Sequence, residues 1–322
     1  MITDDDRRAA LQRWLEAQLP GAGFSLAPAS EDASFRRYFR ATLEDGRSFV
    51  AMDAPPDKED CRPFVKVAGL LREAGVHAPE VHAQDLAQGF LLLTDLGTRT
   101  YLQELAPQNA QQLFSDATDA LVKWQLASRA GMLPDYDEAL LRREMNLFPE
   151  WYIQKHLGKT VPKESLESIF ALLVKSALAQ PAVYVHRDYM PRNLMVCEPN
   201  PGVLDFQDAV LGPITYDAVS LVRDAFLSWK EEQVLDWTVR YWEKARKASL
   251  PVDADFAEFW RAFEWMGLQR HLKVLGIFAR INYRDGKPKY LADTPRFLAY
   301  ARATAQRYAA LAPLLRLLDE LA

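Results

Sequence analysis

The hydrophobic pattern of the chain changes near residue 95, and this change limits the possible folds more than any other feature. Before it, short apolar or alternating segments bounded by turn residues predict strands, among them a hairpin formed by 38–43 and 48–52. After it, apolar residues recur mostly at helical spacing. We therefore expect an α+β chain in which a small mixed β lobe, 1–94, precedes a larger helical lobe, 95–322, with a short hinge near their junction.

The same patterns predict the individual elements. An amphipathic helix covers 3–19, with aspartates in its first turn and Pro20-Gly21 at its end. The further predicted strands cover 24–26, 79–82 and 90–93, and the further predicted helices cover 58–74, 108–130, 137–157, 163–179, 215–228, 230–248, 254–280 and 294–321.

Composition excludes several classes of protein. Of the 322 residues, 49% are hydrophobic and 26% charged, so the chain can bury two cores and is neither disordered nor a disulfide-stabilised miniprotein. A net charge of -5 argues against generic nucleic-acid binding, which depends on an excess of Lys and Arg. The acidic start lacks a signal-peptide core, and no apolar run approaches the ~20 residues of a membrane span. With only two cysteines as well, we expect a cytoplasmic protein without a nucleic-acid, membrane or obligate protein partner.

The stretch from Val183 to Asp217 contains the residues with the clearest chemistry. An apolar strand ends at His186-Arg187-Asp188, Asn193 follows five residues after the Asp, and Asp205 follows twelve residues later at the end of a second apolar segment. Phosphoryl transfer needs one carboxylate to orient a hydroxyl and accept its proton, and an Asn with a second carboxylate to hold Mg²⁺ on the nucleotide. The plainer interpretation is a set of polar loop residues between core strands, but four such fixed residues arise by chance with odds of about 10⁻³. We expect His186 to support the loop rather than to move protons.

Three motifs in this stretch also resemble a known family. They are His-x-Asp-x-x-x-x-Asn beginning at His186, Leu-Asp-Phe around Asp205, and Gly-Pro-x-x-Tyr-Asp ending at Asp217. Together they resemble the aminoglycoside phosphotransferase and choline kinase branch of the protein-kinase-like fold, from about residue 24 to the C-terminus. The resemblance implies a two-lobe kinase fold, ATP as co-substrate and Mg²⁺ as cofactor.

The resemblance also implies a role for each matching residue. Asp188 matches the catalytic base, and Asn193 and Asp205 match the Mg²⁺ ligands. Asp217 matches a structural position, which we interpret as a helix cap. The nucleotide-binding residues that the resemblance implies are the hinge residues Asp95, Leu96 and Gly97, whose backbone would hold adenine, and Ser34, Arg36 and Arg37 on the turn that would cover the phosphates.

Three further stretches, 32–40, 50–56 and 269–280, narrow the resemblance to one branch of this family. They resemble the bacterial kinases that phosphorylate the anomeric hydroxyl of N-acetylmuramate and N-acetylglucosamine in peptidoglycan recycling. This resemblance implies that the acceptor is an amino sugar and that its C1 hydroxyl receives the phosphate.

One family feature is missing from the sequence. The lysine that contacts the α- and β-phosphates in kinases should fall within 49–52, where this chain has Met52. Arg36 and Arg37 are the nearest candidate replacements and Lys66 is a more distant one, although both arginines could instead be solvated strand residues. The alternative is a pseudokinase that binds nucleotide and has a regulatory role.

Chain length and charge favour a small anionic acceptor. Only eleven residues separate Asp205 from the helix near Asp217, too few for the long activation segment with which protein kinases bind peptides. Residues 261–322 contain eleven Lys and Arg against five Asp and Glu, which would attract a sugar carboxylate and repel a polycationic aminoglycoside. An aminoglycoside-type phosphotransferase remains the alternative enzyme. The candidate acceptor-binding residues are Arg270, Arg280, Arg284 and Glu144, of which Glu144 could accept sugar hydroxyls or pair with a neighbouring helical arginine.

Overall fold

The computed structural model describes residues 4–30 and 35–321, which form two compact units. The first, here called the β unit, contains the described residues up to Thr100 together with Asn193–Asp208. The second, the helical unit, contains Tyr101–Arg192 and the described residues from Ala209 onward. Within the described ranges, no helix is both long enough and apolar enough to cross a bilayer.

The strands and helices have the following bounds. The strands are β1 (Phe24–Ser30), β2 (Arg37–Leu43), β3 (Ser48–Asp53), β4 (Val81–Asp85), β5 (Phe90–Thr94), β6 (Ala182–Val185), β7 (Leu194–Met195), β8 (Gly202–Val203) and β9 (Val210–Pro213). The α-helices are α1 (Asp4–Gln18), α2 (Arg62–Glu73), α3 (Tyr101–Glu104), α4 (Ala110–Leu126), α5 (Glu138–Met145), α6 (Lys163–Leu178), α7 (Tyr216–Val222), α8 (Glu231–Lys247), α9 (Phe256–Asp285), α10 (Thr294–Arg307) and α11 (Ala312–Leu321). A π-helical segment covers Phe148–His156, and short 3-10 segments cover Pro191–Asn193, Pro288–Asp293 and Ala309–Leu311.

The β unit is built on an antiparallel sheet with the strand order β1-β2-β3-β5-β4. Leu11 and Leu15 of α1 are fully buried against apolar side chains of β2, β3 and β5. The register places Met52 of β3 opposite Tyr38 of β2 and Leu91 of β5. The predicted first helix therefore completes the hydrophobic core of this sheet.

The 30-residue helix α9 is central to the helical unit, where it packs against the π-helical segment, α6, α7 and α10. Its N-cap is Asp255, whose side chain accepts a hydrogen bond from the N–H of Ala257, and its C-cap is Gly286, which has a φ of 67°. Gly276 allows close contact with the start of the π-helical segment, because a Cβ there would lie 2.3 Å from the carbonyl carbon of Leu147. The sheet and the helices together confirm the predicted α+β class.

Some predicted helices are divided in the structure. The helix predicted over 137–157 is α5 followed by the π-helical segment, which has Pro149 in its first turn. The helix predicted over 294–321 is interrupted at Tyr308, whose backbone is extended. Strand β9 was not predicted, because Gly212-Pro213 has the sequence of a turn. Periodicity therefore located the helices but not the breaks within them.

Candidate active site

The loop that follows β6 contains Asp188 in the helical unit. Strand β6 pairs with β9, and the chain passes from this buried pair directly into the loop. His186 is fully buried, and its Nδ1 accepts a hydrogen bond from the N–H of Asp188 at 3.2 Å. Its ring packs edge-on against Tyr189, which is also buried. His186 therefore supports the loop from within.

Asp217, in the first turn of α7, forms hydrogen bonds with the backbone of this loop. One carboxylate oxygen accepts the N–H of His186 at 2.6 Å, and the other accepts the N–H of Arg187 at 3.0 Å. Burial raises the pKa of Asp217 to about 6, although the neighbouring His186 and the two amide hydrogen bonds oppose that shift. The predicted helix cap is wrong, because Thr215 occupies the cap position and Asp217 lies in the first turn. The structural role of Asp217 is therefore to accept hydrogen bonds from the loop, not to cap α7.

Arg187 has a left-handed backbone with a φ of 76°, a conformation that costs a residue other than glycine roughly 1–2 kcal/mol. Several contacts hold Arg187 in this conformation. Its N–H donates to Asp217, its guanidinium donates to Glu144 at 2.5 Å, and its carbonyl oxygen lies 3.4 Å from Nη1 of Arg270. Asp188 is the next residue, so these contacts fix the backbone from which its carboxylate extends.

Glu144 of α5 is the centre of a buried polar group that we call the Glu144 network. Its Oε1 pairs with Arg187 and with Nζ of Lys273 at 3.0 Å. Its Oε2 accepts from the hydroxyl of Tyr136 and from Nε2 of Gln269 at 3.3 Å. Burial alone would raise its pKa, but Lys273 and Arg187 lower the pKa of Glu144 to about 2. Of the two roles weighed for Glu144, the structure contains an ion pair, although with a loop arginine and a lysine of α9.

Arg270 and Lys273 of α9 are both buried against Tyr216. The Cζ atom of Arg270 lies 4.7 Å from the centre of the Tyr216 ring, and Nζ of Lys273 donates to the Tyr216 hydroxyl at 3.0 Å. Burial opposes the charge of Lys273, but Tyr216 and Glu144 outweigh it and raise the pKa of this lysine. Sequence reasoning missed Lys273, for which the available signal was its spacing of three residues from Arg270 in a largely apolar helix.

Arg280 and Arg284 extend the cationic face of α9, since residues ten and fourteen positions after Arg270 lie on the same side of a helix with about 3.6 residues per turn. Arg284 is exposed and pairs with Asp285 at 2.7 Å. Arg280 is half-buried, and within the described chain it makes no hydrogen bond or ion pair. Burial, and then the neighbouring Arg284, lower the pKa of Arg280. Arg280 therefore has a charge that its own surroundings disfavour.

In the β unit, the short pair of strands β7 and β8 brings Asn193 and Asp205 together. Leu194 pairs with Val203, and the N–H of Leu204 donates to the carbonyl oxygen of Asn193 at 2.9 Å. Nδ2 of Asn193 lies 3.4 Å from Oδ2 of Asp205. The two residues predicted to hold Mg²⁺ are thus neighbours in space.

The oxygens of this pair fit Mg²⁺. That ion prefers hard oxygen ligands, and it usually combines one or two carboxylates with phosphate oxygens and water. Asp205 offers two carboxylate oxygens, and Asn193 offers one amide oxygen. Across residues 4–30 and 35–321, no cluster of three or more His, Cys, Asp or Glu side chains could hold a metal. A Mg²⁺ ion held here would therefore need further ligands from a nucleotide and water.

Arg36 and Arg37 have different surroundings, although both were predicted to contact the nucleotide. Nε of Arg37 donates at 3.1 Å to the fully buried carboxylate of Asp53, which also accepts at 2.9 Å from Arg7 of α1. Nη2 of Arg36 instead lies 4.0 Å from Oδ1 of Asp205, and the Arg36 side chain is only 14% exposed. Arg37 therefore joins α1 to the sheet, whereas Arg36 lies beside a predicted Mg²⁺ ligand.

The remaining positions considered for phosphate contact have different outcomes. Met52 is fully buried in β3, so the position of the missing lysine has no cation. Lys66 of α2 is exposed. Ser34 lies outside the described residues.

Asp95 of the predicted hinge uses its side chain within the β unit. Its carboxylate accepts from Nε of Arg40 at 2.6 Å, from the Ser48 hydroxyl at 2.7 Å and from the N–H of Gly97 at 2.9 Å. Arg40 also donates to the carbonyl oxygen of Gly97. Leu96, which lies between Asp95 and Gly97 in the sequence, is buried. The Asp95 carboxylate therefore helps to hold the backbone of the hinge, and the adenine contact of that backbone stays a prediction.

Sequence comparison places this chain beside known kinases. The model of the phosphotransferase enzyme family matches residues 25–263. The N-acetylmuramate/N-acetylglucosamine kinase of Pseudomonas aeruginosa is 56% identical, over 99% of this chain and 98% of its own length. The kinase of the same name from Neisseria meningitidis is 52% identical, over 98% of this chain and 96% of its own length.

Solved structures share the fold at low sequence identity. Aminoglycoside phosphotransferase APH(2'')-Ib bound to ADP has a TM-score of 0.59 and 16% identity, covering 91% of this chain and 97% of its own. The Plasmodium vivax ethanolamine kinase has a TM-score of 0.64 and 9% identity, covering 98% of this chain and 90% of its own. These similarities confirm the predicted protein-kinase-like fold.

Proposed function

Because this chain belongs to the phosphotransferase enzyme family, we propose that it transfers the γ-phosphate of ATP to the C1 hydroxyl of N-acetylmuramate and N-acetylglucosamine. Membership and the kinase relatives make it an ATP-dependent kinase with a hydroxyl acceptor. We propose these two sugars because the chain matches kinases named for them over nearly its full length, at 52–56% identity. Since both sugars are components of the bacterial cell wall, we place the reaction in peptidoglycan recycling.

In this proposal Asp188 is the catalytic base. Its carboxylate orients the sugar hydroxyl toward the γ-phosphorus and accepts its proton, while the new O–P bond forms and the bond to ADP breaks. The rate of this step depends on where the carboxylate of the base lies, since a misplacement of about 1 Å can lower the rate on the order of 10²-fold. The contacts of the loop residues with Asp217 and Glu144 support that position.

The β unit supplies the nucleotide contacts in this proposal. Asn193 and Asp205 hold Mg²⁺, which, when bound, neutralises charge on the phosphate oxygens. Arg36 takes the place of the lysine that is absent at Met52. The backbone of 95–97 contacts adenine.

We predict that Arg36→Met weakens ADP binding about tenfold or more, because a hydrogen bond to a charged group is worth roughly 1.5–3 kcal/mol. Arg37→Met is the matched control. It should leave the ADP affinity unchanged and lower the Tm, since among the described residues Asp53 would then keep only Arg7 as a charged partner. Titration calorimetry with ADP and thermal denaturation measure the two effects. Equal losses of ADP affinity in both variants would exclude the assignment to Arg36.

Arg280 is the residue that we propose contacts the carboxylate of N-acetylmuramate. It is half-buried on the cationic face of α9 and has no partner within the described chain. Arg270 contacts Tyr216, and Arg284 already pairs with Asp285. An anionic ligand would relieve the unfavourable placement of the Arg280 charge.

We predict that Arg280→Met raises the KM for N-acetylmuramate about tenfold, the effect of losing one charge-assisted hydrogen bond. The KM for N-acetylglucosamine, which lacks the lactyl carboxylate, should stay unchanged. Arg261→Met is the control, because Arg261 lies on the same helix in an exposed pair with Glu258. Steady-state kinetics with both sugars decides the matter, and a parallel rise in KM for the two sugars would contradict this role of Arg280.

A coupled assay of ADP release tests the proposed function as a whole. We expect turnover with both amino sugars and none with kanamycin. Turnover with kanamycin alone would instead support an aminoglycoside-type phosphotransferase.

A further inference from the structure

The motif from Gly212 to Asp217 contacts both the loop that follows β6, which contains Asp188, and the Glu144 network. A Cβ on Gly212 would lie 2.8 Å from Cβ of Tyr136, so this glycine allows Tyr136 to pack against β9 with its hydroxyl at Glu144. Tyr216 accepts a hydrogen bond from Lys273 of the same network. Asp217, the last residue of the motif, accepts hydrogen bonds from two backbone N–H groups of the loop. One short motif therefore holds the loop and the network together.

Glu144 has little capacity left for a sugar hydroxyl. An ionised carboxylate offers about four lone-pair sites, two on each oxygen. Each oxygen of Glu144 has two donors, and the four donors are Arg187, Lys273, Tyr136 and Gln269. The Glu144 residue is also only 5% exposed. A sugar could reach this carboxylate only by displacing a donor from a buried site.

Arg187 connects Glu144 to the loop. It precedes Asp188, and its left-handed backbone is held at the N–H, at the guanidinium and at the carbonyl oxygen. Glu144 pairs with the guanidinium of Arg187, so the loss of Glu144 would release this contact.

We propose that Glu144 is a positioning residue, which acts through Arg187 to fix the backbone that carries Asp188. This inference rests on the proposed role of Asp188 as the base. It replaces the expectation that Glu144 binds the acceptor.

The test is Glu144→Gln, which keeps the shape of the side chain and removes its charge. We expect kcat to fall on the order of 10²-fold, because the base is no longer held in position. The KM values for ATP and N-acetylglucosamine should remain near those of the wild type. A raised KM for the sugar with an unchanged kcat would indicate direct contact with the acceptor and would overturn the inference.

Glu264 of α9 provides a matched control in the same unit. It is a buried glutamate whose carboxylate accepts from Arg307 and, at 2.6 Å, from the hydroxyl of Tyr308. Glu264→Gln should lose thermal stability in the same way and keep its kcat. If Glu144→Gln and Glu264→Gln have the same kcat, Glu144 is merely structural and the inference is wrong.

A second variant covers the case in which Glu144→Gln does not fold. Glu144→Gln combined with Lys273→Met removes one charge of each sign, so the net charge of the Glu144 network is unchanged. Its kcat should be as low as that of Glu144→Gln, because the ion pair between Arg187 and Glu144 is still lost. A wild-type kcat in this folded variant would overturn the inference. Normal turnover in Asp188→Asn would instead overturn the proposed function, which separates the two failures.

Discussion

Asp188→Asn should reduce kcat by about 10³-fold or more, at the upper part of the range for loss of a general base, while ADP still binds with nearly wild-type affinity. The amide keeps the size of the side chain but cannot accept the proton of the sugar hydroxyl. Because Asp217 accepts the N–H groups of His186 and Arg187, the loop should keep its backbone conformation. Steady-state kinetics and titration calorimetry with ADP measure the two parts of this prediction.

Asp119→Asn is a suitable control for Asp188→Asn. Asp119 is an exposed aspartate of the helical unit that pairs with Lys244 at 2.7 Å, and its substitution should leave kcat unchanged. Wild-type turnover in Asp188→Asn would exclude this residue as the base and, with it, the proposed mechanism.

Asp205→Asn should lower kcat on the order of 10²- to 10³-fold, because charge on the transferred phosphoryl group would lose its metal-based stabilisation. The more specific result concerns binding. Wild-type protein should bind ADP more tightly with Mg²⁺ than without it, and Asp205→Asn should lose most of that difference. Calorimetric titrations with and without Mg²⁺ give both affinities directly.

Asp208→Asn is the control for Asp205→Asn, since it removes a carboxylate three residues further along that has no role in the proposed mechanism. It should keep the Mg²⁺-dependent gain in ADP affinity. An undiminished gain in Asp205→Asn would place the metal elsewhere.

The fold class and the main motif residues could be predicted because their signals are local. Strand and helix periods can be recognised within a short window, and the spacing of Asp188, Asn193 and Asp205 lies within one stretch of sequence. The structure adds why Asn193 and Asp205 are neighbours, which is the pairing of β7 with β8. Strands of two residues each have too weak a pattern to predict that pairing.

The Glu144 network could not be predicted because its contacts join distant parts of the chain. Arg187 lies 43 residues from Glu144, and Gln269 lies 125 residues from it. A polar residue among the apolar positions of α5 was the available signal, but that signal does not identify the partners. Tertiary packing alone decides which buried cations meet this carboxylate.

Arg36 and Arg37 illustrate the same limit at short range. Successive side chains of an extended segment point to opposite sides, so one of two adjacent arginines can lie beside Asp205 while the other reaches Asp53. From the sequence alone, the two arginines are equal candidates for contact with the nucleotide. Only the strand register and the position of α1 distinguish them.

Proton-coupled phosphorus NMR of the product tests the proposed C1 phosphorylation most directly. The enzyme would be incubated with ATP, Mg²⁺ and either N-acetylmuramate or N-acetylglucosamine. We predict a sugar phosphate whose phosphorus couples to the single anomeric proton. A triplet from the two protons at C6, or the absence of any sugar phosphate from both sugars, would contradict the proposal.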